Sequence, residues 1–198
     1  RQDTHSTWFQ HYASIAGLEL GNLLEIGSGA FSQTIEVLNV ASAKTVTLVD
    51  PLMTHYLTHV DGCNFKTGKL LNRHPALIVQ AGGEDVDFHQ SFDTVVMMNV
   101  LEHCVNAIHV LQNMHNAVKP GGLLIFSERW YDTKWERFER GGEKPFWDVG
   151  HPISIKKRVV DHLLTHYEPL YSVGFHFEDP FFNNDEGVYY IGKRKTTA

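Results

Sequence analysis

From residue 23 to residue 51 the chain reads as strand, helix, strand, and no other feature restricts its fold so strongly. LLEIG (residues 23–27) is a short apolar run closed by glycine. Residues 31–40 carry Ile35, Leu38 and Val40 at roughly helical spacing, and KTVTLVDP (residues 44–51) is rich in β-branched residues and stopped by proline. A unit of this kind, about thirty residues long, pairs its strands in parallel through a right-handed crossover.

The rhythm repeats downstream. PALIVQ (75–80), FDTVVMMN (92–99) and GLLIFSE (122–128) are predicted strands, the second apolar on both faces as a central parallel strand must be. Residues 102–118 are predicted as one helix with Val105, Ile108, Leu111, Gln112 and His115 around one side. Residues 155–167 form another, with Val159, Val160, Leu163, Leu164 and Tyr167 inward. A short helix over residues 8–18 is expected within an N-terminal segment, 1–22. Residues 129–152 are aromatic, charged and aperiodic, an insert in the pattern. LYSVGFHF (170–177) and GVYYIGKRK (187–195) have no helix between them, so they should pair as an antiparallel hairpin. The expected fold is α/β: one domain over 1–198, with a doubly wound, mostly parallel seven-stranded sheet ending in that hairpin. Ligands of such sheets sit beyond the carboxyl ends of the strands. The loops after Gly27, Asp50, Gln80, Asn99 and Ser127 are where chemistry belongs.

Hydrophobic residues make up 42% and charged residues 20%, a globular balance that excludes a disordered chain. With 17 Lys and Arg against 23 Asp and Glu the net charge is −6, which argues against a general polyanion binder, so no nucleic-acid partner is expected. Two cysteines, Cys63 and Cys104, cannot build a disulfide framework or a cysteine zinc site. No apolar run nears the ~18 residues that span a bilayer and no signal peptide opens the sequence, so a cytoplasmic protein with no membrane partner is expected. The chain opens at Arg1 instead of Met, which leaves room for residues upstream. Of 13 histidines, His162 and His166 share a helix face but flank its apolar side, and His103, His109 and His115 rotate around theirs. No metal site is predicted.

In the first loop, Gly27 and Gly29 let the backbone turn sharply and let a ligand approach the main chain. Ser32 stands where a dinucleotide fingerprint needs its third glycine, and no Lys-Ser/Thr pair forms a P-loop. Glu25, two places before Gly27, suits a cationic amino-acid ligand better than a pyrophosphate. Asp50 ends the second strand, placed to accept from both hydroxyls of an adenosine ribose; a helix N-cap is the other use of an aspartate there.

Taken in order, LLEIGSGAF, VTLVDP, GGEDVDF, FDTVVMMNVLEH and KPGGLLIFSE resemble the motifs of the class I S-adenosylmethionine-dependent methyltransferases, small stand-alone members with a VLEH turn. The resemblance covers residues 20–128 by motif and implies a Rossmann-like sheet with S-adenosylmethionine as cofactor. By position it implies that Glu25, Gly27 and Gly29 contact the methionine end. Asp50 would hold the ribose, Gly83 and Glu84 would line the adenine, and Asn99 would present its backbone near the amino-acid moiety. Phe31 replaces a third alternate glycine, and Gly82 stands where the family often has an aspartate facing adenine.

The acceptor side is less constrained. His103 and His151 are candidate general bases; the first equally suits organising a helix start, the second a surface loop. Glu128 could bind a cationic acceptor or be a solvated loop acid. Trp130, Tyr131 and Trp147, with Trp135, Phe138, Phe146, Trp8, Phe9 and Tyr12, could wall an acceptor cavity or pack beneath a loop. The reading that follows is methyl transfer to nitrogen or oxygen of a small-molecule acceptor. The alternatives are a protein or peptide methyltransferase and a non-catalytic interaction module of the same fold. The sequence leaves the oligomeric state open.

Overall fold

Seven strands lie side by side in the order β3-β2-β1-β4-β5-β7-β6 in the computed structural model, which describes residues 4–65, 76–130, 153–177 and 185–196, with backbone alone for 4–9, 177 and 185. The strands are β1 (Asn22–Ile26), β2 (Thr45–Val49), β3 (Ala76–Val79), β4 (Phe92–Met98), β5 (Val118–Trp130), β6 (Tyr167–Phe177) and β7 (Asp185–Arg194). β1 pairs in parallel with β2 on one side and β4 on the other, so the winding reverses between β1 and β4. β7 runs antiparallel to both β5 and β6 and separates them. This is the mostly parallel sheet with an antiparallel hairpin that the sequence pattern predicts.

Alternate residues of the central strands face opposite layers, the period of two that a pleated strand imposes. Leu24, Ile26, Val95 and Met97 point to one core, shared with Val110 and Met114 of helix α3 (Ala107–Ala117) and Val160 and Leu163 of helix α4 (Lys157–Leu164). Leu23, Val46, Leu48 and Val96 point to the other. That face is covered by Val37 of helix α1 (Thr34–Val37), Met53 of helix α2 (Met53–His59), and Tyr12 and Ile15 of a 3-10 helix over Thr4–Ile15.

The helices depart from expectation more than the strands do. The predicted helix over 31–40 is four residues long, and α2 was not anticipated, because MTHYLTH buries only Met53 and shows no apolar stripe. The single helix expected over 102–118 is a 3-10 turn, Leu101–His103, followed by a break and then α3, capped by the Asn106 side chain on His109 N. The break changes the phase. Val105 and Ile108, expected inward, are 93% and 51% exposed, while Ala107, Val110, Leu111, Met114 and Ala117 are buried. Tyr167, expected on α4, opens β6 and is buried there. Among the described residues no helix is long and apolar enough to cross a membrane, and no three His, Cys, Asp or Glu side chains are grouped to hold a metal ion.

Candidate active site

The loops after β1 and β4 face each other where the winding reverses, and a cavity of about 660 Å3 opens there. Its lining includes residues 27–31, 50–52, 82–85, 98–100 and 103–105, with Glu25, Gln33 and Tyr56. Gly27 joins the two loops. Its φ is +71°, and a Cβ at this position would lie 2.4 Å from Val100 Cγ2, so only glycine fits both the turn and the neighbour. Gly29, at φ +57°, donates its N–H to Asp50 Oδ2 (2.9 Å).

Asp50 therefore ties the first loop to the tip of β2. Its other oxygen accepts from Leu52 N (2.8 Å), a local turn and not a helix cap, since Leu52 is itself the N-cap of α2. Each carboxylate oxygen can accept twice, so Asp50 retains capacity for two further donors such as ribose hydroxyls. Burial raises its pKa, partly countered by these bonds.

Glu25 is buried and turned toward the chain's own helix start. It accepts from Ser32 Oγ, from Gln33 N (2.8 Å) and from Thr34 N (3.3 Å), acting as the cap that α1 lacks locally. Burial pushes its carboxyl up against the pull of those donors. At the opposite end, a Cβ on Gly83 would meet Val110 Cγ1 at 2.9 Å. Glu84 Oε1 accepts from Val105 N (2.8 Å) and Asn106 N (3.1 Å), which fixes the entrance to α3.

After β4, Asn99 adopts φ +56°, a left-handed conformation rare outside glycine. Its backbone N–H donates to Ser127 O (2.8 Å), and its amide is clamped from both sides. Arg129 Nε donates to its oxygen (2.9 Å), and its own Nδ2 donates to Glu102 Oε1 (3.0 Å). Arg129 Nη2 also bonds Glu102, which is fully buried. His103, half exposed on the cavity wall, has Nε2 3.8 Å from the same Glu102 oxygen.

The acceptor residues fare differently. Glu128 is fully buried, accepting from Val100 N (3.1 Å), Leu101 N (2.9 Å) and Arg129 N (3.0 Å), so it shapes the loop after β4 and does not line the cavity. Burial and the nearby Glu102 push its pKa up to about 7. Trp130 is buried in the α3–α4 core, and its Nε1 donates to Glu186 (3.2 Å). Tyr131, Trp147 and His151 lie outside the described residues, as does the insert from 131 to 152. Sequence reasoning missed Glu102, Arg129, Gln33 and Tyr56. The charged pair Glu128-Arg129 at a strand end was the available signal for the clamp.

A sheet that reverses between β1 and β4 and carries an antiparallel β7 between β5 and β6, with a glycine loop and an acid at the tip of β2, has the class I S-adenosylmethionine-dependent methyltransferase architecture. The chain belongs to the methyltransferase-domain family, whose profile matches residues 3–167. It is 29% identical over 119 residues to a tRNA U34 carboxymethyltransferase of Pseudoalteromonas atlantica, a match spanning 60% of this chain and 35% of that protein. The chain thus spans about a third of the length of this curated relative. The fold is similar to that of the N-methyltransferase NodS from Bradyrhizobium japonicum, solved with S-adenosyl-L-homocysteine (TM-score 0.66, 16% identity, 97% of this chain and 86% of that one). It is also similar to the YcgJ protein of Bacillus subtilis (TM-score 0.67, 10% identity, 98% and 100%).

Proposed function

We propose that this domain binds S-adenosylmethionine in the switch-point cavity and transfers its methyl group to a nitrogen or oxygen of a small-molecule acceptor. The observation that carries the reading is Asp50, which holds the glycine loop through Gly29 and lines the cavity with acceptor capacity to spare. The donor and acceptor set fits the cofactor. An acid stands at the ribose position, a backbone loop without side-chain bulk lies beside it, and Pro51, Leu52, Cys104 and Val105 offer apolar surface around Gly83 and Glu84.

In this reading Glu25, Gly27 and Gly29 form the methionine end, Glu25 by fixing the loop and the glycines by letting the ligand approach. Asp50 takes the ribose hydroxyls, Gly83 and Glu84 border the adenine, and Asn99 presents its clamped backbone. Bound S-adenosylmethionine supplies a methyl group already activated on a sulfonium. The chain's own task is therefore positioning and exclusion of water. His103, at the cavity wall, takes the proton that a nitrogen or oxygen acceptor must release; His151 is the second candidate for that role. Tyr131 and Trp147 remain our candidates for the acceptor wall. Glu128 and Trp130, both buried, instead shape the loop after β4 and the core beneath it.

The match to a tRNA-modifying relative supports a second reading, an RNA acceptor. The net charge of −6 weighs against it, since phosphate contacts call for a basic face.

Calorimetric titration with S-adenosylmethionine and S-adenosylhomocysteine tests the cofactor site. Saturable one-to-one binding is expected, weakened at least tenfold, about 1.4 kcal/mol, in Asp50→Ala. Binding of neither ligand defeats the enzyme reading. Salt-sensitive binding of transcribed tRNA, at an affinity no small acceptor approaches, would favour the RNA reading.

A further inference from the structure

Away from the cavity, α3, α4, β6 and β7 meet around one imidazole. His115 lies in the last turn of α3. Its Nδ1 is 3.0 Å from the hydroxyl of Tyr167, which opens β6 and is buried. Its ring meets Tyr167 edge-on (5.6 Å between centroids, 88° between planes). It also stands 5.1 Å from the ring of His166, in the turn between α4 and β6, and His162 on α4 stands 5.5 Å from His166. Arg194, at the end of β7, donates Nη1 to His115 O (2.9 Å) and to Val118 O. Lys195 closes the group, its N–H donating to His166 O (3.0 Å) and its Nζ to Thr165 O (2.7 Å).

The groups that face His115 are therefore a phenol from β6, a guanidinium from β7 and a second imidazole from the turn after α4. Among the described residues no ion pair brings a carboxylate to His115, His162 or His166; Asp161, beside His162, is held by Lys157. The end of a helix ordinarily favours a cation. Here burial, Arg194 and His166 outweigh that pull and lower the His115 pKa to about 4. The hydrogen bond agrees with the charge. A buried hydroxyl needs a partner, and a neutral imidazole with a bare Nδ1 can accept from Tyr167. A proton on Nδ1 takes that acceptor away and sets a cation against Arg194.

We propose that this cluster is an acid-sensitive latch: neutral His115 fastens the tails of α3 and α4 to β6 and β7, and its protonation releases them. A released His115 titrates near 6.5 and binds protons that the latched imidazole refuses. The latch is therefore tight above that pH and weakens as pH falls from 6.5 toward 4. The loosened helix is the one whose start borders the cavity, where Glu84 holds Val105 N and Asn106 N. The raised carboxyls of Glu25 and Glu128 push global stability the opposite way, so the latch is read at individual amides.

Amide hydrogen exchange followed by NMR on the whole chain tests it, with protection factors compared at pH 7 and pH 5. The amides of Thr165, His166 and Lys195, which bond within the cluster, should lose about twentyfold in protection, while those of β1 and β4 change by less than about threefold. His115→Gln, which keeps an acceptor but does not titrate, should cut the loss at the three amides to about threefold or less. No loss at those amides, a loss spread evenly over β1 and β4, or the same loss in His115→Gln overturns the proposal. Should His115→Gln fail to fold, the ring signal of His115 in the unmodified chain decides. A titration midpoint below about 5.5 supports the latch and a higher one overturns it.

Discussion

Glu25 near the end of β1 and Glu128 near the end of β5 are both buried carboxylates that hold backbone N–H groups, yet the two regions are organised differently. The partners of Glu25, Ser32, Gln33 and Thr34, follow within nine residues of it along the chain. Glu128 reaches back to Val100 and Leu101, 28 and 27 residues away, and lies close enough to Glu102 to be disfavoured as an anion. The first loop is built locally by one acid and its own helix start. The second depends on a tertiary clamp in which Arg129 and Asn99 hold Glu102. A locally closed loop survives small shifts of the sheet, whereas the loop after β4 inherits every change in β5.

The sharpest way to break this pair of loops is to strike where they meet. Gly27→Ala combines a positive φ with a Cβ driven into Val100 and should cost about 4 kcal/mol, read from denaturant unfolding. The next largest effect is the pH dependence that Glu128 brings to the second loop. An ordinary glutamate ionises at 4.5, while folded Glu128 holds its proton to about 7. Between those values the unfolded chain binds fewer protons than the folded one, so stability falls as pH rises through this window and then levels off. The loss amounts to about 3 kcal/mol. Glu128→Gln should make that slope shallower in unfolding curves taken from pH 4.5 to 8, leaving what the raised Glu25 and Asp50 carboxyls contribute and, in the opposite sense, the lowered His115 imidazole. Glu25→Gln keeps one accepting oxygen but sets an NH2 against the donors held by the other, and should cost about 2 kcal/mol and weaken S-adenosylhomocysteine. The smallest effect is expected on the exposed side of α3: Ile108→Gln should change stability by less than about 0.5 kcal/mol. A larger loss would return Ile108 to the buried face that an unbroken helix would give it.

What could be read before folding follows the same divide. The parallel strands are legible in the sequence: the central β4 is buried on both faces and so is a run of Val and Met at Val95 to Met98, while the edge strand β3, with Leu77 exposed, is marked by its own short apolar run. The β6–β7 hairpin is legible from two aromatic and apolar segments without a helix between them. The glycine loop and Asp50 stood at fixed places on that frame and fell into one cavity. The face of α3 was misread because nothing in apolar periodicity marks the break at Cys104 and Val105; the Asn106 cap does, and it resets the phase. Glu128 reads locally as a candidate ligand of the acceptor or a solvated acid, because its partners, Val100 and Leu101, belong to another strand's loop. Pairings over that separation leave no trace in local pattern. Arg129 is as far from its partners Asn99 and Glu102, and only its place beside Glu128 at a strand end marks it in the sequence.

The position of β7 between β5 and β6 has a consequence for how the molecule is made. Translation delivers β6 before β7, yet β7 is the sole neighbour of β6 in the sheet. Until β7 arrives, β5 carries an open edge and β6 has no strand to pair with, a state prone to joining strands from other chains. The sheet cannot grow outward one strand at a time; β7, made after both its neighbours, must slide into a waiting slot. Stalled or shortened products ending before residue 185 should therefore be the species that chaperones meet, even though every loop of the switch-point cavity has by then been synthesised.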